Sequence, residues 1–223
     1  MTAARRQRDG AAENPVTYGS IGGTQAVDLL QYPPRGFKPL ERTVRLGSGE
    51  GRWDSSKASL LSWGIQRGAG LQVVDIDLGT GEQYAGIRYH DDGTPAGMRE
   101  SGGAESVYNE AGEPQISNGM TAVLRSHVGP FTVDAPVRVV YVIDDERRVG
   151  FAYGTLKGHP ASGEEAFILE HRDDDSVWLT VRSFSRPASF GWSLLAPIYG
   201  RVRKGLVSRY LRALHPINAA AAD

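Results

Sequence analysis

Apolar and polar positions alternate most strongly between Val137 and Ser185. Val137, Val139, Tyr141 and Ile143 alternate with Arg138, Val140 and Val142, so this stretch is apolar on both faces apart from one arginine and predicts a central strand. The polar turn Asp144-Asp145-Glu146-Arg147 follows. Beyond it Val149, Phe151 and Tyr153 alternate with Gly150, Ala152 and Gly154, giving a strand with one bulky face and one nearly bare face. Glu165 to Glu170 and Val177 to Ser185 continue the alternation on either side of Arg172-Asp173-Asp174-Asp175. The chain from Arg147 to Ser185 therefore predicts three successive antiparallel strands.

After Arg186-Pro187 the period changes to that of a helix. Leu195, Ile198, Tyr199, Val202, Leu206, Tyr210 and Leu214 form one stripe, with Arg201, Arg203, Lys204, Arg209 and Arg212 largely off it. A helix of about 24 residues within 189–214 would reach about 36 Å, long enough to cross a sheet. A second, shorter stripe of Trp53, Leu60, Leu61 and Ile65 predicts a helix near 52–67, stopped by Gly68 and Gly70.

The remaining segments are shorter. Thr43 to Leu46, Leu71 to Leu78, Met120 to Val128 and Phe131 to Val133 predict strands, with a bulge near Val73-Val74. Tyr32-Pro33-Pro34-Arg35-Gly36-Phe37-Lys38-Pro39 is held extended by its prolines. Residues 1–25 are small and polar and are expected to be a disordered tail, as are 217–223; 79–115, dense in glycine and acid, reads as an insertion. What lies between, 26–216, is expected to be a single α+β domain in which an antiparallel sheet packs on the C-terminal helix.

Composition narrows the function classes. The chain has 223 residues, a formal net charge of -1 and a sequence pI near 6.5, so no overall field draws it to nucleic acid, and none is expected as a partner. It has no cysteine, which excludes disulfides, thiolate nucleophiles and sulfur-ligated metals and fits a reducing compartment. No apolar run reaches the roughly 20 residues of a membrane span, and the amino terminus lacks a secretory pattern, so a cytoplasmic protein is expected. His90 with Asp91 and Asp92 reads as a solvated turn, and neither metal nor cofactor is expected.

Candidate chemistry gathers in the strands. Glu164 and Glu165 are adjacent, so one of them aims at the core side whichever register holds, and a buried carboxylate needs a partner. Arg138 and Arg182, both in strands, can supply one as a buried ion pair. The functional alternative takes His159 with Glu164 or Glu165 as an acid/base pair at a cavity mouth. The bare face of Gly150, Ala152 and Gly154 needs a cover, either a close-packed helix or a ligand, with Arg138, Tyr141, Tyr153 and Arg182 as further lining residues. The basic terminal helix, with Phe190 and Trp192 before it, also suits a membrane surface, a reading less favoured than its covering the sheet with its charges in water. Nothing in the chain sets an oligomeric state.

Several blocks act together as a signature. Val139-Val140-Tyr141-Val142, Gly150-Phe151-Ala152-Tyr153-Gly154-Thr155-Leu156, Gly158-His159-Pro160, Gly163-Glu164-Glu165, Phe184-Ser185-Arg186-Pro187-Ala188 and Arg209-Tyr210-Leu211 resemble the uncharacterised family called domain of unknown function nineteen-ninety. The likeness runs back through Leu61-Ser62-Trp63 and Leu46-Gly47-Ser48-Gly49 to Tyr32-Pro33. It implies no activity. The element order is also similar to the helix-grip architecture of lipid-transfer and polyketide-cyclase proteins, in which a curved sheet wraps the last helix. That similarity implies a cavity between the two, and a hydrophobic small molecule as the expected partner.

Overall fold

Successive strands joined by short turns pair with one another, and from Thr121 onward this chain does little else. In the computed structural model β5 (Thr121–Val128), β6 (Phe131–Asp145), β7 (Arg148–Thr155), β8 (Ala161–His171) and β9 (Ser176–Pro187) form an antiparallel meander. β1 (Lys38–Ser48) joins the β9 edge and β2 (Gln72–Asp77) the β5 edge, completing a curved seven-stranded sheet of order β1-β9-β8-β7-β6-β5-β2. Between those edge strands the chain crosses one face through α1 (Glu50–Leu61) and α2 (Gly64–Gly68), and α3 (Ala196–Ala213) lies on the same side, against α2, β9 and β1. The small strands β3 (Arg88–Tyr89) and β4 (Pro95–Ala96) pair separately. The structure describes residues 15–78, 114–128, 131–188 and 196–215, with short pieces at 88–89, 95–96, 108 and 112. Most of the expected insertion, the turn at His90, the Phe190–Leu195 segment and the last residues lie outside them. Among the described residues no helix is long and apolar enough to cross a membrane.

The core lies between the inner face of the sheet and the three helices. Phe151, Tyr153, Phe167, Leu169, Leu179 and Val181 meet Trp53, Leu60, Trp63, Ile65, Val207 and Tyr210 there. The rings interlock: Phe167 meets Tyr210 edge-on at 5.1 Å and Trp63 meets Phe151 at 5.4 Å. The helix expected over 52–67 is real in its apolar stripe but breaks at Ser62-Trp63. Trp63 takes a left-handed φ of 63°, and Gly64 is pressed so close to the preceding turn that a β-carbon would stand 2.6 Å from the Ser59 carbonyl oxygen.

Two expectations need correction. The alternation of Val137, Val139, Tyr141 and Ile143 is cut by a bulge between Val139 and Tyr141, so Val137 and Val139 face the helices while Tyr141 joins Val140, Ala152 and Ala166 on the outer face. The bare strip of Gly150, Ala152 and Gly154 likewise faces away from α3. Over Gly154 and Ala152 its cover is the amino-terminal strap, residues 15–37, which lays Tyr18 on Gly154, packs Val16 and Ile21 against the Ala152 cluster, and sets Tyr18, Leu29 and Phe37 around Phe184. Residues 17–25, expected in the tail, thus belong to the folded body: Tyr18 is 7% exposed and Thr24 0%. Hydrogen bonds order them where apolar burial alone would not. Thr17 N–H donates to the Thr155 carbonyl at 3.0 Å, and a turn at Gly23–Gln25 rests on β8.

Candidate functional site

Cross-strand register separates the two glutamates. One row of paired residues runs Gly154, Glu164, Phe184 and the next runs Tyr153, Glu165, Ser183. Neighbours on a strand point to opposite faces, so Glu164 goes out beneath the strap and Glu165 goes in toward α3.

Glu164 is closed on every side. Its Oε2 accepts from the Tyr18 hydroxyl at 2.7 Å and the Gly22 N–H at 2.8 Å, while Oε1 accepts from Thr24 N–H at 2.9 Å and the Thr24 hydroxyl. Thr24 Oγ1 is itself 2.7 Å from the Tyr141 hydroxyl. Burial raises the Glu164 pKa against these donors, and it lifts Tyr18 and Tyr141 as well. This is a clasp that ties the strap to β8.

Glu165 is only half-buried, and among the described residues Tyr153 alone hydrogen-bonds it, at 2.7 Å. Since the Tyr153 hydrogen is committed to that bond, the Tyr210 hydroxyl 3.3 Å away donates to the Tyr153 oxygen. Burial raises the pKa of Glu165, with Tyr153 and the positive charge of Arg203 opposing the rise. Burial first and the Glu165 charge second push both tyrosines well up, so they stay protonated. Arg203, on α3, donates Nη2 to Ser183 Oγ at 2.9 Å and toward the Lys38 carbonyl at 3.3 Å, pinning the helix across β9 and β1. The result is a carboxylate that accepts one hydrogen bond among the described residues, with two phenols behind it and a guanidinium on its rim. Such a set can accept a hydrogen bond from a ligand or exchange a proton with one.

The other sequence candidates fall elsewhere. His159 Nδ1 accepts from the Ala161 N–H at 2.9 Å, and burial pushes the ring down to about 4, so it is a neutral staple of the β7–β8 turn and does not meet either glutamate. Ser162 is spent on the strap, donating to the Thr17 carbonyl at 3.0 Å. Arg182 does not neutralise Glu164 or Glu165. It pairs with Glu41, Nε to Oε2 at 2.7 Å but off the N–H direction, and donates Nη2 to the Ala26 carbonyl at 2.8 Å. Arg138 is buried on the outer face opposite Gly154. Of the proposed lining residues, then, Tyr153 shares a site with Glu165, whereas Tyr141, Gly150, Ala152, Gly154, Arg138 and Arg182 belong to the strap side. Tyr210, Arg203 and Ser183 are not among the site residues the sequence predicts. Tyr210 stands in the apolar stripe of α3, and that stripe is the one sequence signal that brings its hydroxyl toward β7. Among the described residues no group of three or more acidic or histidine side chains stands where it could hold a metal.

A curved antiparallel sheet gripping a C-terminal helix defines the class of fold. Within it, this chain belongs to the family described as domain of unknown function (DUF1990), whose model matches residues 17–89 and 97–213. It is 31% identical over 179 residues to a UPF0548 protein of Deinococcus radiodurans, covering 77% of this chain and 73% of that one. A UPF0548 protein of Arabidopsis thaliana is 38% identical over 82 residues, 34% of this chain and 39% of the relative. Among solved structures, a hypothetical protein of Helicobacter pylori aligns with a TM-score of 0.48 at 11% identity, covering 86% of this chain and 94% of that one. Norcoclaurine synthase of Thalictrum flavum, solved with dopamine and hydroxybenzaldehyde, aligns at 0.40 and 8%, covering 79% and 85%. The family match starts at residue 17, two residues into the strap, so nearly all of the strap is part of the family's domain.

Proposed function

We propose that this protein binds a hydrophobic small molecule between the inner face of the sheet and α3, with a donor group of that molecule, a hydroxyl or an amine, meeting Glu165. The contrast between two adjacent carboxylates carries this reading. Glu164 accepts four hydrogen bonds from the strap, whereas Glu165, on the face toward α3, accepts one among the described residues. A half-buried carboxylate left with spare acceptor capacity beside aromatic walls suits recognition of an apolar molecule with one polar end. Native mass spectrometry of the full-length protein purified from cells tests it. The expected result is an added mass that survives gentle ionisation, disappears on denaturation, and is depleted in E165Q. A bare chain, together with no saturable binding of the apolar dye anilinonaphthalene sulfonate, overturns it.

One observation favours a second reading, proton transfer by Glu165. Its pKa is raised by burial and it is hydrogen-bonded to a tyrosine that touches another, an arrangement suited to general acid/base work. Loss of turnover in E165Q with the bound mass retained would select it over binding alone.

A further inference from the structure

The two helices α2 and α3 carry cations and no acid. From Ser176 to Ala222 the sequence has no aspartate or glutamate, and α3 holds Arg201, Arg203, Lys204, Arg209 and Arg212, in a chain whose net charge is -1. The apolar stripe of α3 is spent in the core, where Val207, Tyr210 and Leu214 are buried, and its charged side is left to solvent. Lys204, Ser208 and Arg212 recur there every four residues, all exposed, over about 12 Å, with exposed Arg209 beside Ser208. α2 lies so close that a β-carbon at Gly68 would stand 2.9 Å from that of Ala213, and one at Gly70 would stand 3.7 Å from Arg209 Nη1. It adds the exposed Arg67. Arg67 and Arg212 donate to the Ser62 and Ser208 carbonyls at 2.7 and 3.1 Å, neutral groups that leave their charge in place. Among the described residues Lys204 and Arg209 enter no ion pair. On the elements packed against the two helices, acid stands in β1 at Glu41, committed to Arg182; in α1 at Glu50 and Asp54, the end away from α2; and in β2 at Asp75 and Asp77.

We propose that this face of α2 and α3 docks on the surface of an anionic bilayer, by charge and without insertion. The large apolar side chains exposed among the described residues are Val27, Leu30, Tyr32, Tyr108 and Phe131, and none of them is on α2 or α3. A protein partner builds its interface around an apolar centre, which this face does not offer. A layer of anionic headgroups needs no such centre, and each lysine or arginine brought near it contributes about fivefold in affinity. Cations spread over two adjacent helices also meet a plane of charge better than they meet a single line of phosphates. The inference is independent of the proposed function, since it uses neither Glu165 nor a bound molecule, and Arg203, which borders Glu165, is left out of the face.

Co-sedimentation of the full-length protein with lipid vesicles tests this. Vesicles of equal parts phosphatidylglycerol and phosphatidylcholine are expected to carry the protein down at low salt, and vesicles of phosphatidylcholine alone are not. Raising the salt from about 0.1 M to about 1 M, which shortens the screening length from about 10 Å to about 3 Å, should release it. K204E/R209E should weaken the binding at least about tenfold with an unchanged urea midpoint. K204Q/R209Q, which removes the charge without reversing it, should weaken it less, and it carries the test if the reversal unfolds the chain. No sedimentation with the anionic vesicles overturns the inference, as does undiminished binding in the folded variant or binding that outlasts the high salt. Tighter binding to polyglutamate or to a DNA duplex than to the vesicles also overturns it, and would make the face a protein or a nucleic-acid surface instead.

Discussion

Tyr18 lies across Gly154 so closely that a β-carbon at 154 would overlap its phenol oxygen. That oxygen is the one that donates to Glu164 at 2.7 Å. The bare strand face and the carboxylate clasp are therefore a single device: glycine makes room for the ring whose hydroxyl completes the clasp.

G154A should then act through Tyr18. The added methyl has to displace a ring held by a hydrogen bond on one side and by Phe184 at 5.5 Å on the other, at a cost of about 1–3 kcal/mol. Y18F keeps the ring and removes the donor, leaving a buried carboxylate short of one bond, about 1–3 kcal/mol. Combined in one chain with Y18A, which vacates the space, G154A should cost less than it does alone. Urea unfolding of the wild type, G154A, Y18A and the double variant measures the coupling, and strict additivity would mean that Tyr18 does not occupy that space in solution.

His159 predicts a pH dependence. Its folded pKa is pushed down to about 4 by burial, from an ordinary value of 6.5. Between those values the unfolded chain takes up a proton and the folded one does not. The contribution of His159 is therefore full above pH 6.5 and is lost as pH falls to about 4. Because the ring is half-buried and screened, the loss should be about 1–3 kcal/mol. Glu164 and Glu165, with raised pKa values, act in the opposite sense, favouring the fold as pH falls toward the ordinary carboxylate range. The readout is thus the difference between wild type and H159N, from chemical denaturation at pH 4 to 8. It should narrow as pH falls, and a difference constant with pH would show that the ring is not held neutral.

Gly64 predicts a purely local effect. With its β-carbon position 2.6 Å from the Ser59 carbonyl oxygen, G64A has to reopen the turn that delivers Trp63 to Phe151. Destabilisation of about 1–3 kcal/mol and a changed tryptophan emission spectrum are expected together. A loss of stability with unchanged emission would place the strain elsewhere.

The fold was legible where a pattern had one solution. Strands β7, β8 and β9 each carry a clear alternation between polar turns, and the α3 stripe has a single period, so their order and the antiparallel sheet followed from the chain. Face assignment failed where a strand is apolar on both sides. A bulge at Val139–Tyr141 moves Tyr141 to the other face without disturbing any polar position, and so leaves no trace in the sequence. The strap failed for a different reason. Its contribution is made by Tyr18, Thr24 and backbone N–H groups meeting Glu164, which a count of apolar residues does not register. Of the site, Glu165 and Tyr153 were readable as strand neighbours. Tyr210 and Arg203 reach them from a helix tens of residues away, and only packing brings those together.

The two adjacent glutamates provide the sharpest test of how roles are divided on this sheet. In E164Q an amide N–H₂ must face donors from Gly22, Thr24 or Tyr18 where an oxygen had accepted them, so a cost of about 2–4 kcal/mol is expected. E165Q loses little, because Tyr153 can still donate to the amide oxygen and a neutral group is easier to keep half-buried; about 1 kcal/mol or less is expected. Urea midpoints at constant m-value give both numbers. An evolved ligand contact is the kind of group whose removal spares the fold, whereas a structural anchor is not. If E165Q is as damaging as E164Q, Glu165 holds the protein together from the inside as Glu164 does from the outside, and the case for a ligand at that carboxylate falls with it.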